Sequence, residues 1–319
     1  MSSPLAGGRS AIEWPSIVLA IFIYGGWLGL TWFHAAMPVW LLMPLGGWLV
    51  AWQSSLQHET IHGHPTRWAN INRLIGAPPL MLFVPYESYR ISHLMHHRDE
   101  FLTDPLDDPE SHYWTAQDWA ALNAPLRWLV VSQSTFLGRM LLGPIFVACR
   151  YLVQEYRRIA AGSRLHARIW RKHFLAVALV LAWVCGICGM NFGLYLLAFV
   201  YPGTALILMR SFAEHRALDN VRERVAVVEN TPVLGLLYLN NNLHAAHHEM
   251  PGLAWYAIPA WYKANRARLL RDNAGLVYDG YGDVARRFFL TPHDQPVHPA
   301  GRVAPHPGAD RVPQALRRT

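Results

Sequence analysis

The stretch "QHETIHGHPT", residues 57–66, carries two histidines four positions apart, His58 and His62, with Glu59 next to the first. On a helix, residues i and i+4 share a face, so both imidazoles can reach one metal ion. Two readings compete. As HExxH, the stretch is the signature of a zinc peptidase in which Glu59 serves as general base. Alternatively, it is the first of several histidine boxes that share a larger site, and Glu59 stands outside the chemistry.

The 17 histidines of the 319-residue chain are unevenly placed. A second box, "HLMHH", contains His93, His96 and His97, and a third, "HAAHH", contains His244, His247 and His248. Both have the spacing i, i+3, i+4, which predicts helices that aim each box at one point. His215, in "RSFAEHRA", completes a set of nine candidate ligands. A zinc ion takes about four ligands, and only three from protein in a catalytic site. Nine imidazoles therefore imply two metals, and a peptidase would leave boxes two and three without a role. Imidazole donors suit Zn, Cu, Fe or Ni, so donor type does not name the element. His34, His112, His166 and His173 stand alone and read as ordinary polar residues. His64 is followed by Pro65 and falls off the repeat of box one, which leaves its membership open.

The composition places this site in a membrane protein. Hydrophobic residues make up 52% and charged residues only 15%, with 14 Trp, 13 Tyr and 12 Phe to populate headgroup interfaces. A formal charge of +7 without a basic stripe of interleaved stacking aromatics argues against nucleic acid. The three cysteines, Cys149, Cys185 and Cys188, do not make a disulfide framework; Cys185 and Cys188 form a CxxC, redox-active in one reading, but their apolar run makes them read as small inert core thiols. Arginine greatly outnumbers lysine, the latter being only Lys172 and Lys263, which suggests a GC-rich bacterial genome and a bacterial inner membrane.

A crossing needs about 20 predominantly apolar residues. Trp14 to Phe33, Pro38 to Leu56, Phe174 to Gly189 and Phe192 to Met209 meet that need, predicting an all-α, four-span bundle. The first run lacks a cleavage signature and does not read as a signal peptide. Arg150, Arg157, Arg158, Arg164, Arg168, Arg171 and Lys172 precede the third span, and Arg210 and Arg216 follow the fourth. The connections at His34 and Asn191 have no such charges. The positive-inside rule then puts both termini and the middle segment in the cytoplasm, where a helical cap carries the boxes. Leu126 to Tyr151 is apolar but has Arg139 at its centre, a costly residue at mid-bilayer, so it reads as an interfacial or buried helix. "GAPPLMLFVP", residues 76–85, is too short and too broken to span and reads as a re-entrant or surface segment. Residues 1–290 form the membrane domain. The tail 291–319 reads as disordered, with His293, His298 and His306 solvated.

Together "HETIHGH", "SHLMHHRDEFLTDPLDDPE", "RSFAEHRA" and "NNNLHAAHHEMPGLAWY" resemble the membrane fatty-acid desaturase superfamily, which includes acyl desaturases, alkane hydroxylases and carotenoid hydroxylases and ketolases. The likeness covers most of residues 14–290. It implies a non-haem di-iron centre below a four-span bundle, with His58, His62, His93, His96, His97, His244, His247 and His248 as iron ligands and His215 as the extra ligand after the last span. Acyl desaturases often place four residues between the histidines of the first box; here there are three, as in many hydroxylases and ketolases.

An unactivated C–H bond needs a strong oxidant, which a reduced iron pair can make from dioxygen, and imidazoles hold iron without an oxidisable thiolate. The resemblance implies a fatty-acyl lipid entering from the bilayer, desaturated or else hydroxylated or ketolated. It also implies electrons from a separate carrier of ferredoxin, rubredoxin or cytochrome b5 type. The "HPG" at His306 faintly matches a haem motif, but too few residues follow it for a haem domain. Asp104, Asp107 and Asp108 follow box two and either orient imidazoles or cap a loop. Asn240, Asn241 and Asn242 precede box three and serve either a metal-bound water or a turn. Glu214 and Glu249 each adjoin a candidate ligand without a role that the sequence assigns.

Overall fold

The computed structural model describes residues 11–301. Helix α1 runs Trp14–Trp32 and α2 runs Val39–Ile61. Proline sets both starts: Pro15 sits in the first turn of α1, where its missing N–H costs nothing, and extended Pro38 caps α2. Short α3, Ala69–Gly76, leads through irregular chain to α4, Tyr86–His96. Four helices follow: α5 Ala116–Ala121, α6 Ala124–Gln133, α7 Phe136–Leu141 and α8 Gly143–Ala160. Helix α9, Arg164–Leu181, continues as a π-helix over Ala182–Ile187. After a turn at Asn191, α10 Phe192–Tyr195, a π-turn Leu196–Val200 and α11 Tyr201–Phe212 form one long rod.

Among the described residues, three helical rods are long and apolar enough to cross a membrane: Trp14–Trp32, Arg164–Ile187 and Phe192–Phe212. Between 28% and 39% of each apolar stretch is buried, so most of it faces outward. Water cannot be the neighbour of so continuous an apolar surface, with Ile21, Phe22, Leu175 and Leu179 all exposed. The second expected span, α2, has 23 residues but is not among these three. Its position explains the difference. It lies between α1 and the α10–α11 rod, and its polar side chains bond inward: Gln53 Nε2 donates to the Pro78 carbonyl and Gln57 Nε2 to the Gly76 carbonyl, both at 2.8 Å. A helix sheathed by neighbours needs no wholly apolar surface.

Small residues allow that close fit. A Cβ on Gly203 would lie 2.6 Å from Val50 Cβ, and one on Gly47 would lie 2.7 Å from Pro202 Cβ, so α2 and α11 touch backbone to backbone. The Pro-rich segment 76–85 dips into this bundle. Leu80 is buried among Trp27, Leu42, Val184 and Tyr195, and the Tyr195 hydroxyl donates to its carbonyl at 2.8 Å.

Leu126 to Tyr151 is not one helix. It breaks at Ser134 and again at Leu142, and buried Arg139 donates Nε to the Gln133 carbonyl at 3.0 Å. Cys185 and Cys188 are not core thiols: Cys185 is exposed and Cys188 partly so, and Cys149 is exposed as well. The rod Arg164–Ile187 buries only part of its surface against the bundle, and Cys185 lies on the outward side, whereas Cys149 sits on α8.

Strand β1, Val227–Glu229, pairs in parallel with β2, Val277–Asp279, adding one small sheet to a fold that is otherwise helical. Around it lie α12 Pro232–Leu237, α13 His244–Glu249, α14 Ile258–Asp272 and α15 Gly280–Phe288. The tail corrects the expectation of solvated histidines. His293 and His298 are buried, at 5% and 4% exposure, because main-chain bonds lay this segment against the rest of the fold. His306 lies outside the described residues.

Candidate metal centre

The site gathers where α2 and α11 end. Helix α2 carries His58 in its last turn and finishes with His62 as its cap; α4 carries His93 and His96 and is capped by His97. His215 follows α11, and its segment bridges to Val225. The chain at β1 is stitched on its other side to box three: Val228 N–H donates to the Asn242 carbonyl at 2.9 Å, and Asn242 Nδ2 returns a bond to the Val228 carbonyl at 2.7 Å. The small sheet thus sets α13 beside His215.

All nine histidines come together, in two groups. His58, His62, His93, His97 and His247 form one; His96, His215, His244 and His248 form the other; within each group the candidate ligand atoms lie within 4.8 Å of one another. The boxes therefore do not each aim at one point. Box one stays whole, but box two sends His96 to the second group and box three sends His247 to the first. Helical rotation of about 100° per residue explains the split: i and i+4 differ by about 40°, whereas the i+3 member lies about 60° the other way. His64 joins neither group; its Nδ1 lies 2.8 Å from both Glu13 carboxylate oxygens.

The far side of several rings is held by an acceptor. His215 Nδ1 lies 3.2 Å from the Arg224 carbonyl, which can only accept. His96 Nδ1 faces Asp108 at 3.0 and 3.1 Å, His93 Nδ1 faces Glu110 at 3.2 Å, and His244 Nδ1 faces the Asn241 side-chain oxygen at 3.0 Å and Glu214 at 3.4 Å. In a neutral ring, each such contact puts the proton on Nδ1 and leaves a lone pair on Nε2. Yet the Nε2 atoms face one another: His96 to His215 at 3.1 Å, His215 to His244 at 3.0 Å, His93 to His62 at 2.9 Å and to His97 at 3.0 Å. Between His215 and His244, both fixed by Nδ1 acceptors, lone pair faces lone pair, an arrangement that repels unless a cation lies between them. Metal–imidazole bonds of about 2.0–2.1 Å at right angles separate neighbouring donors by roughly 3 Å, so the spacing fits a metal in each group.

The electrostatics agree. Burial, reinforced by neighbouring imidazoles, holds His93, His215, His244, His247 and His248 well below the ordinary histidine value, and His62 is lowered to about 3. Neutral rings are the form that binds metal. His96 is the exception: burial opposes its charge, but Asp108 and Glu110 outweigh burial and raise it to about 9. Asp108 also accepts from the backbone N–H groups of Thr103 and Glu110, both at 2.9 Å, and is held below the usual carboxylate range.

The structure separates the other polar candidates. Of the three aspartates, Asp108 orients a ring, whereas Asp104 accepts from the Leu106 and Asp107 amides. Of the three asparagines, Asn241 orients His244, while Asn240 bonds the Trp255 carbonyl and Asn242 serves β1. Glu214 lies between Arg210 and His244, but Glu249 pairs with Arg268 at the surface. Sequence reasoning missed Glu110, whose separation of 17 residues from His93 follows no local spacing rule.

Comparison with known proteins agrees with this geometry. The sequence model of the fatty acid desaturase family matches residues 30–280, and the chain belongs to that family. Membership marks it as an oxidoreductase of the lipid desaturase or hydroxylase kind, in a family whose centres are generally di-iron. No curated protein gives a match.

Proposed function

We propose that the protein oxidises a C–H bond of a fatty-acyl lipid with dioxygen at a paired non-haem iron centre, most simply by desaturation. The observation that carries this reading is the convergence of nine imidazoles into two adjacent groups, with Nδ1 acceptors that leave Nε2 lone pairs turned inward. His58, His62, His93, His97 and His247 would hold one iron, and His96, His215, His244 and His248 the other. A reduced pair bound there supplies, from dioxygen, an oxidant strong enough for an unactivated C–H bond. The chain fixes the rings through Asp108, Glu110, Asn241 and the Arg224 carbonyl. It also keeps bulk water away, since His58, His93, His96, His244 and His247 are each at most 3% exposed. Desaturation takes two hydrogens from adjacent carbons and, with two electrons and two protons, reduces dioxygen to two waters. A separate ferredoxin-, rubredoxin- or cytochrome b5-type carrier would deliver those electrons. Hydroxylation or ketolation is the second reading, favoured by the three-residue gap between His58 and His62.

In this reading α2 is a fourth span, and both termini lie on the cytoplasmic side of a bacterial inner membrane. Tags near Asp118 and in the C-terminal tail should report one face and a tag at Asn191 the other. Comparing the lipids of a host with and without the expressed protein tests the reaction. New double bonds support desaturation, new hydroxyl or keto groups support the second reading, and an unchanged lipid profile with zinc in place of iron overturns both.

A further inference from the structure

Residues His293 to His298 cross the surface of the cap and grip both sequences that serve the four-histidine group. Asp294 is the centre of the grip. One of its carboxylate oxygens accepts from Arg216 Nε at 3.1 Å; the other accepts from the Tyr113 hydroxyl at 2.8 Å and from His293 Nδ1 at 2.7 Å. The Tyr113 hydroxyl in turn accepts from the Ala217 N–H at 2.9 Å. Asp294 thereby holds the two residues that follow His215, one by its side chain and one by its backbone. That segment folds back so that Arg216 N–H donates to the Arg224 carbonyl at 3.1 Å, the same carbonyl that receives the His215 Nδ1 proton.

The strap has its own anchors. His293 N–H donates to the Ser134 carbonyl at 2.8 Å, and Tyr278 bonds its ring at 2.9 Å. Trp114 N–H donates to the Pro296 carbonyl at 2.9 Å, and His298 N–H to the Trp114 carbonyl at 3.0 Å. His298 Nε2 lies 3.1 Å from the Thr103 hydroxyl, and Thr103 N–H donates to Asp108, the carboxylate that orients His96. None of Asp294's side-chain bonds reaches a residue adjoining the five-histidine group.

We propose that Asp294 is a positioning residue for the four-histidine metal site, acting through Arg216, Tyr113 and Ala217 on His215. The proposal rests on the reading that these four imidazoles hold a metal. Loss of partners that orient a ligand lowers metal affinity by about 10–100-fold. With iron-loaded full-length protein, Asp294→Ala should weaken one site by that factor and leave the other filled. Asp294→Asn should retain more metal, because one amide oxygen still accepts. Tyr113→Phe, a milder change, should give a smaller loss at the same site.

Double variants assign the loss. In a His62→Ala background, Asp294→Ala should weaken the iron held by the four-histidine group by that same factor; in a His244→Ala background it should leave the iron of the five-histidine group unchanged. His173→Leu, which breaks a buried bond to the Leu82 carbonyl far from the strap, controls for general destabilisation and should keep both sites filled. Undiminished affinity in Asp294→Ala, or equal loss from both sites, overturns the proposal. Absence of metal from the parent protein would instead overturn the reading of the site.

Discussion

The Glu59 carboxylate accepts a hydrogen bond from the Trp255 backbone N–H at 3.2 Å, tying the end of α2 to the chain that follows box three. Its other oxygen lies 3.9 Å from His58 Nδ1, on the side of that ring turned away from the metal-facing Nε2. Glu59 is thus engaged behind the site, where it cannot act as a general base on a metal-bound water. In a zinc peptidase Glu59→Ala would abolish turnover and His244→Ala would matter little. Here Glu59→Ala should lower activity by about 10–100-fold while leaving it measurable. His244→Ala should be inactive and should lose the metal of the four-histidine group. Activity assays paired with metal analysis of both variants separate the two cases.

Asp108 should matter as much as an orienting partner can. It receives the His96 Nδ1 proton and two backbone N–H groups, and it is 5% exposed. Asp108→Ala leaves His96 free to turn and those donors without their carboxylate. Metal affinity should fall by about 10–100-fold. Asp104→Ala, which removes the acceptor for the Leu106 and Asp107 amides, should retain more metal than Asp108→Ala. Titration of the metal-free proteins with ferrous iron measures both.

Close approach of α2 and α11 predicts a steep size limit at Gly203. Even a Cβ there would sit 2.6 Å from Val50, so Gly203→Val should destabilise the protein by about 1–3 kcal/mol. Gly186, with nothing within 4 Å of an added Cβ, should accept alanine with little change. Thermal unfolding in one mild detergent compares the two.

His112 gives a pH signature outside the metal site. Burial, with the Arg139 guanidinium adding to it, lowers His112 from 6.5 to about 3. The folded protein therefore keeps this ring neutral while the unfolded chain protonates it below about pH 6.5. Stability contributed by His112 is fully present above that pH and is lost as pH falls from 6.5 toward 3. His112→Gln should flatten this part of the acid dependence. Melting temperatures of the metal-loaded parent and variant should converge, or cross, between pH 7.5 and 5; parallel curves would contradict the assignment.

The sequence alone determined which side chains could be ligands and where the apolar rods run. Both follow from short-range periodicity: a helix repeats every 3.6 residues, so His58 and His62 share a face whatever surrounds them, and an apolar run such as residues 14–32 declares itself by length. What the sequence could not decide was how the boxes combine. Helix periodicity by itself parts His96 from His97 and His247 from His248, but which group each joins depends on how α4 and α13 are rotated against α2, which long-range packing sets. The same holds for Glu110, which reaches His93 through a loop, and for Asp294, which reaches Arg216 from 78 residues away. A hydrogen bond between distant residues leaves no spacing to read in a single chain, so only the tertiary structure could place them.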